Sequence, residues 1–138
     1  MRLLILGTGG MANQHANHFK KIEDVDIVAA VDVDAIRVES FALTHEIPKT
    51  FNSLDDAIAW GEFDAVANVT PDRAHHPTTM QLIKAGKHQF CEKPLAENHA
   101  LAMEMTEAAE SAGLINMVNL TYRNSPALQE ARRMVQAG

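Results

Sequence analysis

Gly7-Thr8-Gly9-Gly10-Met11-Ala12 follows the apolar run Met1-Arg2-Leu3-Leu4-Ile5-Leu6 without a linker and leads straight into a segment with helical spacing. Strand, glycine-rich turn and helix N-terminus in that order form a cradle for a phosphate group. Gly7 permits the tight turn, Gly9 lets the backbone approach a pyrophosphate, and the small side chain of Ala12 lets the helix pack near the strand. The unpaired N–H groups of the first helical turn face the anion, and the helix dipole favours negative charge there. Asp32 closes a second apolar run, Ile27-Val28-Ala29-Ala30-Val31, 25 positions after Gly7. The acidic residue of a dinucleotide fingerprint usually stands about 20 positions on. A carboxylate at that point can accept both ribose hydroxyls of an adenosine and repels a 2′-phosphate, which points to NAD, with NADP the other candidate. Asp32 or Asp34 could instead cap the next helix. Arg37, one turn into that helix, could stack on adenine, meet a 2′-phosphate, or simply be solvated.

The elements that must position these residues alternate along the chain. Periodicity predicts a helix over 11–21, with Met11, Ala12, His15, Ala16, Phe19 and Ile22 on one face. A second helix is expected over 34–45 and a possible short strand within 47–51. Ser53-Leu54-Asp55-Asp56 resembles a capping box before a short helix that Gly61 ends. Asp64–Val69 reads as a strand, and Thr70–Pro77 as a loop bracketed by two prolines. Residues 77–85 read as a helix and 87–91 as a strand closed by Glu92-Lys93-Pro94. A long helix over 98–112 with an Asn98 cap, a strand over 114–120 and a last helix over 126–136 follow. This alternation implies a doubly wound, mainly parallel six-stranded α/β sheet of the Rossmann type with helices on both faces. Ligands of such sheets bind past the carboxyl ends of the strands, where strand order reverses. The Gly7 turn, Asp32, Thr70-Pro71 and Glu92-Lys93-Pro94 all lie just past strand ends.

The chain has 138 residues, with 12 Lys and Arg against 18 Asp and Glu for a net charge of −6. That balance argues against a nucleic-acid binder, which needs a basic face. No apolar run approaches the roughly 20 residues of a membrane span, and none of the usual secretory-signal features appears at the start. The single cysteine, Cys91, excludes an intramolecular disulfide and suits a reducing cytoplasm; it reads as a packing residue. Neither His15 with His18 nor His75 with His76 brings a cysteine or carboxylate at ligand spacing, so no metal is expected.

Taken in order, Gly7-Thr8-Gly9-Gly10-Met11-Ala12, the strand ending in Asp32, Thr70-Pro71 with His75, Ala85-Gly86-Lys87-His88, Cys91-Glu92-Lys93-Pro94-Leu95-Ala96 and Tyr122-Arg123 with Pro126 resemble the N-terminal domain of the glucose-fructose oxidoreductase/inositol dehydrogenase (Gfo/Idh/MocA) family. The resemblance spans essentially the whole chain. It implies an NAD(P)-dependent oxidoreductase of a sugar, cyclitol or related polyol. Residues 1–121 would form the dinucleotide-binding domain, and 122–138 would begin the connection to a C-terminal α+β domain. That second domain normally carries the proton-transferring histidine and the oligomer contacts. This chain alone is therefore expected to be inactive and to self-associate through the surface around Tyr122, Pro126 and Leu128.

The resemblance also implies roles. Lys93 would stand at the junction of nicotinamide and substrate, where its ammonium can hydrogen-bond the reacting oxygen or relay a proton. A cis bond before Pro94 would aim it into the cleft. Glu92 would contact the nicotinamide ribose or pair with a nearby base. His75 would hold the ribose, line the substrate entrance or have no ligand role. Thr70 and Pro71 would supply backbone and apolar contacts to the cofactor, and Arg123 would reach the cofactor or anchor the second domain. The competing reading is a nucleotide-sensing regulatory protein without chemistry, which has no need of Glu92-Lys93-Pro94.

Overall fold

The computed structural model describes residues 1–138, and its centre is a sheet whose strands are all parallel. The strands are β1 (Arg2–Leu6), β2 (Asp26–Val31), β3 (Thr50–Phe51), β4 (Ala65–Asn68), β5 (His88–Cys91) and β6 (Asn116–Val118), and they lie side by side in the order β3-β2-β1-β4-β5-β6. The helices are α1 (Gly10–Phe19), α2 (Ala35–His45), α3 (Leu54–Trp60), α4 (Asp72–Lys84), α5 (His99–Ser111) and α6 (Pro126–Ala137), with a 3₁₀ turn at Thr121–Asn124. Strand order reverses between β1 and β4, which creates a crevice at their carboxyl ends.

Strand periodicity explains why β1 is apolar from Leu3 to Leu6. Leu3 and Ile5 join a core with Ala12, Ala16, Val38 and Phe41 from α1 and α2. Leu4 and Leu6 point the other way, into a core with Ala57, Phe63 and Leu82. A strand covered on both faces has no solvent side to leave polar. Buried alanines at 12 and 16 bring α1 close to the sheet, and Met11 and Ile22, expected on the same inner face, are instead about half exposed at 48% and 50%.

Local chemistry sets the helix ends. The Asp34 carboxylate accepts the Arg37 amide, Ser53 accepts the Asp56 amide, and Asn98 accepts the Leu101 amide, each a side-chain cap. Gly61 ends α3 in the left-handed conformation with φ 73°. The largest boundary difference from expectation is at α4, which starts at Asp72, so the segment read as a loop up to Pro77 is its first turns; β6 (Asn116–Val118) is also shorter than the strand expected over 114–120. Pro71 is the N-cap, and Pro77 sits inside the helix. Pro71 stands before the helix and needs no helical N–H, and Pro77, the sixth residue of α4, gives up its own i→i−4 bond without ending the helix, so the two prolines do not bracket a loop here.

Gly7 is where the fold permits no side chain. Its φ is +86°, and a Cβ would meet the Val69 carbonyl oxygen at 2.8 Å and the Thr70 nitrogen at 3.0 Å, both backbone atoms. Gly7→Ala is expected to destabilise the protein by at least about 2 kcal/mol, from the positive φ and a forced shift of β4. Gly10→Ala should leave stability within about 0.5 kcal/mol, because a Cβ there meets nothing within 4 Å. Urea unfolding of the two variants checks the contrast; equal losses would remove it.

Candidate functional site: a cleft at the strand-order reversal

Sheet register lines the sequence-distant candidates up on one edge. Val31, Leu6, Asn68, Cys91 and Val118 are successive partners across β2, β1, β4, β5 and β6. The next residue on each strand is therefore Asp32, Gly7, Val69, Glu92 and Asn119. Ladder bonds continue to this level: Gly7 N–H donates to Val31 O at 2.8 Å, Val69 to Leu6 at 2.8 Å, Glu92 to Asn68 at 2.9 Å and Asn119 to Cys91 at 2.7 Å.

A cleft of about 570 Å³ opens above this edge and gathers Gly7, Gly9, Gly10, Met11, Asp32, Arg37, Thr70 and Pro71. Asn52, Ser53, Leu54 and Arg73 also line it; sequence reasoning did not single these out for a ligand. Asn52 follows Phe51, the partner of Val31, so register places it beside Asp32, a relation invisible before the strands are paired. The α1 N-cap, Gly9, offers no side-chain bond, and the first turn holds no acidic residue. Gly9 and Gly10 have open space where a Cβ would be. No protein atom requires glycine at these two positions, which leaves the N–H groups there open to the approach of a ligand. The residues present therefore fit a dinucleotide pyrophosphate.

Asp32 is buried at one wall. Its Oδ2 accepts the Thr8 amide and hydroxyl, each at 2.8 Å, and its Oδ1 accepts the Asp34 amide at 3.0 Å. Burial pushes its pKa up, but the Asp34 and Thr8 amides, the Thr8 hydroxyl and the Arg37 charge outweigh that and hold it below the ordinary value. Asp32 is thus ionised at neutral pH, and three of its roughly four acceptor positions are already filled by protein donors. Thr8 serves the loop through this carboxylate. Arg37 bonds Asp34 Oδ2 at 3.0 Å and lies 3.5 Å from Asp32 Oδ2. Ala12 is wholly buried behind the turn.

The remaining candidates lie outside the cleft lining. Glu92 is buried; its Oε1 accepts from His15 Nε2 and Asn119 Nδ2, both at 2.7 Å, and its Oε2 accepts the Lys93 amide at 3.1 Å. Burial pushes the Glu92 pKa up, yet the bonds from Asn119, His15 and the Lys93 amide carry it below the ordinary value. His75 is 0% exposed on α4, with Nδ1 2.7 Å from Pro94 O and Nε2 2.8 Å from Thr70 O. Neither of its nitrogens is open to a ribose. Lys93 is exposed past β5, and the Lys93–Pro94 bond is cis. Arg123 is exposed in the 3₁₀ turn. Cys91 is buried, and its thiol is pushed up to about 12, first by burial and then by the Glu92 charge; such a thiol is a packing group.

Fold and cleft together define a dinucleotide-binding domain. Residues 1–120 match the model of the oxidoreductase family with an NAD-binding Rossmann fold, and the chain belongs to this Gfo/Idh/MocA family. It is similar to 4-carboxy-2-hydroxymuconate-6-semialdehyde dehydrogenase of Sphingobium sp., 30% identical over 138 residues, covering 100% of this chain and 44% of that protein. It is also similar to the scyllo-inositol 2-dehydrogenase (NADP(+)) IolU of Bacillus subtilis, 29% identical, covering 96% of this chain and 40% of the other. The solved structure of the WlbA dehydrogenase from Chromobacterium violaceum with NADH and UDP-GlcNAcA superposes with a TM-score of 0.92 at 27% identity, over 99% of this chain and 40% of that one. The chain spans less than half the length of these relatives and corresponds to their cofactor-binding domain.

Because Asp32 and Glu92 have lowered pKa values, the stability they contribute is complete above the unfolded carboxyl values of about 4. It is lost as pH falls through the lower folded values. Glu92→Gln is expected to lower stability at pH 7 by about 1–3 kcal/mol, since an amide group faces a donor where the carboxylate accepted. It should also make the acid limb shallower below about pH 4.5. Denaturation midpoints across that range check this; parallel curves for variant and wild type would contradict it.

Proposed function

We propose that this chain is the cofactor-binding domain of an NAD-dependent dehydrogenase acting on a sugar, cyclitol or related polyol. The observation that carries this reading is the glycine pair, Gly9 and Gly10, open toward a cleft at the strand-order reversal and backed by an uncapped helix start. The bound nicotinamide supplies hydride transfer. The N–H groups at Gly10 and Met11 hold the pyrophosphate, Asp32 offers its remaining acceptor position to the adenosine ribose, and Thr70 and Pro71 form the facing wall. Ionised Asp32 repels a 2′-phosphate, and Arg37 is engaged by Asp34 and Asp32, so a 2′-phosphate would have to compete with both carboxylates for it. Both facts favour NAD over NADP.

Lys93 stands on the same carboxyl edge as the cleft. Its ammonium would hydrogen-bond the reacting oxygen and stabilise the charge that develops as a substrate hydroxyl ionises; this exposed lysine favours chemistry over sensing. The polyol class is supported by the inositol dehydrogenase and the nucleotide-sugar complex among the relatives; the Sphingobium protein is a semialdehyde dehydrogenase by name. Residues 122–138, with Tyr122 76% and Val135 82% exposed, would connect to a further domain that completes the substrate site. That domain would supply the proton-transfer group and oligomer contacts, leaving these residues inactive alone and prone to self-association. No helix is long and apolar enough to cross a membrane.

Calorimetric titration with NADH and NADPH tests the reading. NADH should bind more tightly than NADPH, and Gly10→Ala should weaken NADH by at least about tenfold, equivalent to about 1.4 kcal/mol, without loss of stability. Unchanged NADH affinity in Gly10→Ala, or no NADH binding by the wild type, would overturn it.

A further inference from the structure

The turn that carries Lys93 has little to hold it. From Lys93 to Glu97 the backbone is irregular, and two of its groups have hydrogen-bond partners. The Lys93 amide bonds the side chain of its own neighbour Glu92, and the Pro94 carbonyl faces His75 Nδ1 at 2.7 Å. The second is the backbone's hydrogen bond from this turn to another element. His75 comes from the second turn of α4, is wholly buried, and turns its other nitrogen to Thr70 O, 2.8 Å away at the cleft wall. Thr70 has independent support, since its hydroxyl donates to Asn68 Oδ1 at 2.7 Å. The Pro94 carbonyl has none. Both acceptors are carbonyls, so each contact needs an N–H; a neutral ring donates to one of them and a doubly protonated ring to both.

We propose that His75 is a positioning residue: its Nδ1–H, donated to the Pro94 carbonyl, fixes the turn that presents Lys93 at the edge of the cofactor cleft. The proposal rests on the dehydrogenase reading for the use made of Lys93, but the positioning itself is measurable without cofactor. Asparagine can place an amide N–H near the Nδ1 position and glutamine near the Nε2 position, so the two substitutions separate the bonds. His75→Asn keeps the bond to Pro94 and gives up the one to Thr70; His75→Gln does the reverse.

The experiment is the rate of amine acylation at Lys93, read by peptide mass spectrometry, with exposed Lys49 and Lys84 as internal references. His75→Gln should change the Lys93 rate by at least about threefold, the population shift expected for one lost hydrogen bond, with Lys49 and Lys84 unchanged. His75→Asn should restore the wild-type rate. A purely structural role predicts that both variants alter all three lysines according to their stability loss. Equal Lys93 rates in the two variants, or a wild-type rate in His75→Gln, would overturn the proposal. Should either variant fail to fold, the wild-type protein decides. A through-hydrogen-bond NMR coupling between His75 Nδ1 and the Pro94 carbonyl carbon is expected, and its absence would also overturn the proposal. NADH affinity in the same variants reports on the cofactor reading separately: loss of labelling contrast with NADH binding intact strikes at His75 alone, and the reverse strikes at the cleft.

Discussion

The close approach of Gly7 to the backbone at Val69 and Thr70 is the constraint on which the site depends. Gly7 donates to Val31 on one side and lies, measured from where its Cβ would be, within 3 Å of the Val69 backbone just past β4 on the other. It thereby ties the ends of β2, β1 and β4 together at the point where strand order reverses. The turn can then deliver α1 with its first N–H groups aimed into the crevice. Asp32 completes the tie from the β2 side through the Thr8 amide and hydroxyl. Its charge shapes the loop as well as facing the cleft.

A second buried carboxylate organises the other half of the edge. Glu92 joins α1 through His15, the end of β6 through Asn119, and the Lys93 turn through its amide. Removing a buried charge from water is costly unless hydrogen bonds replace the lost hydration; the three donors to Glu92 do so, and its lowered pKa reflects them. The glycine-turn helix and the turn bearing Lys93 thus share one anchor and are held in a common frame.

Most of the architecture was legible in the sequence because the central strands carry apolar runs on both faces and cap residues mark helix starts. Leu3 to Leu6 and Ala65 to Ala67 read as strands without structural help, and the caps at Ser53 and Asn98 were visible as residue types. The α4 start was missed because Pro71 and Pro77 resemble loop punctuation, whereas the N-cap and an early helical position tolerate both. The glycine turn, Asp32 and Thr70-Pro71 were legible as cleft residues because local pattern alone places them past strand ends. Asn52, Ser53 and Arg73 were not, since only strand pairing and the true start of α4 bring them to the cleft. Spacing in sequence also hid the partners of the histidines: His15 meets Glu92 across 77 positions and His75 meets Pro94 across 19.

The central claim is that the open glycine pair and the α1 N-terminus receive the dinucleotide. Amide chemical-shift mapping of the labelled chain during NADH addition tests it most directly. The amides of Gly9, Gly10 and Met11, with those of Val69 and Thr70 across the crevice, should shift together along one saturable curve. Binding of NADH that leaves those amides unmoved, or shifts confined to β6 and α6, would contradict the claim.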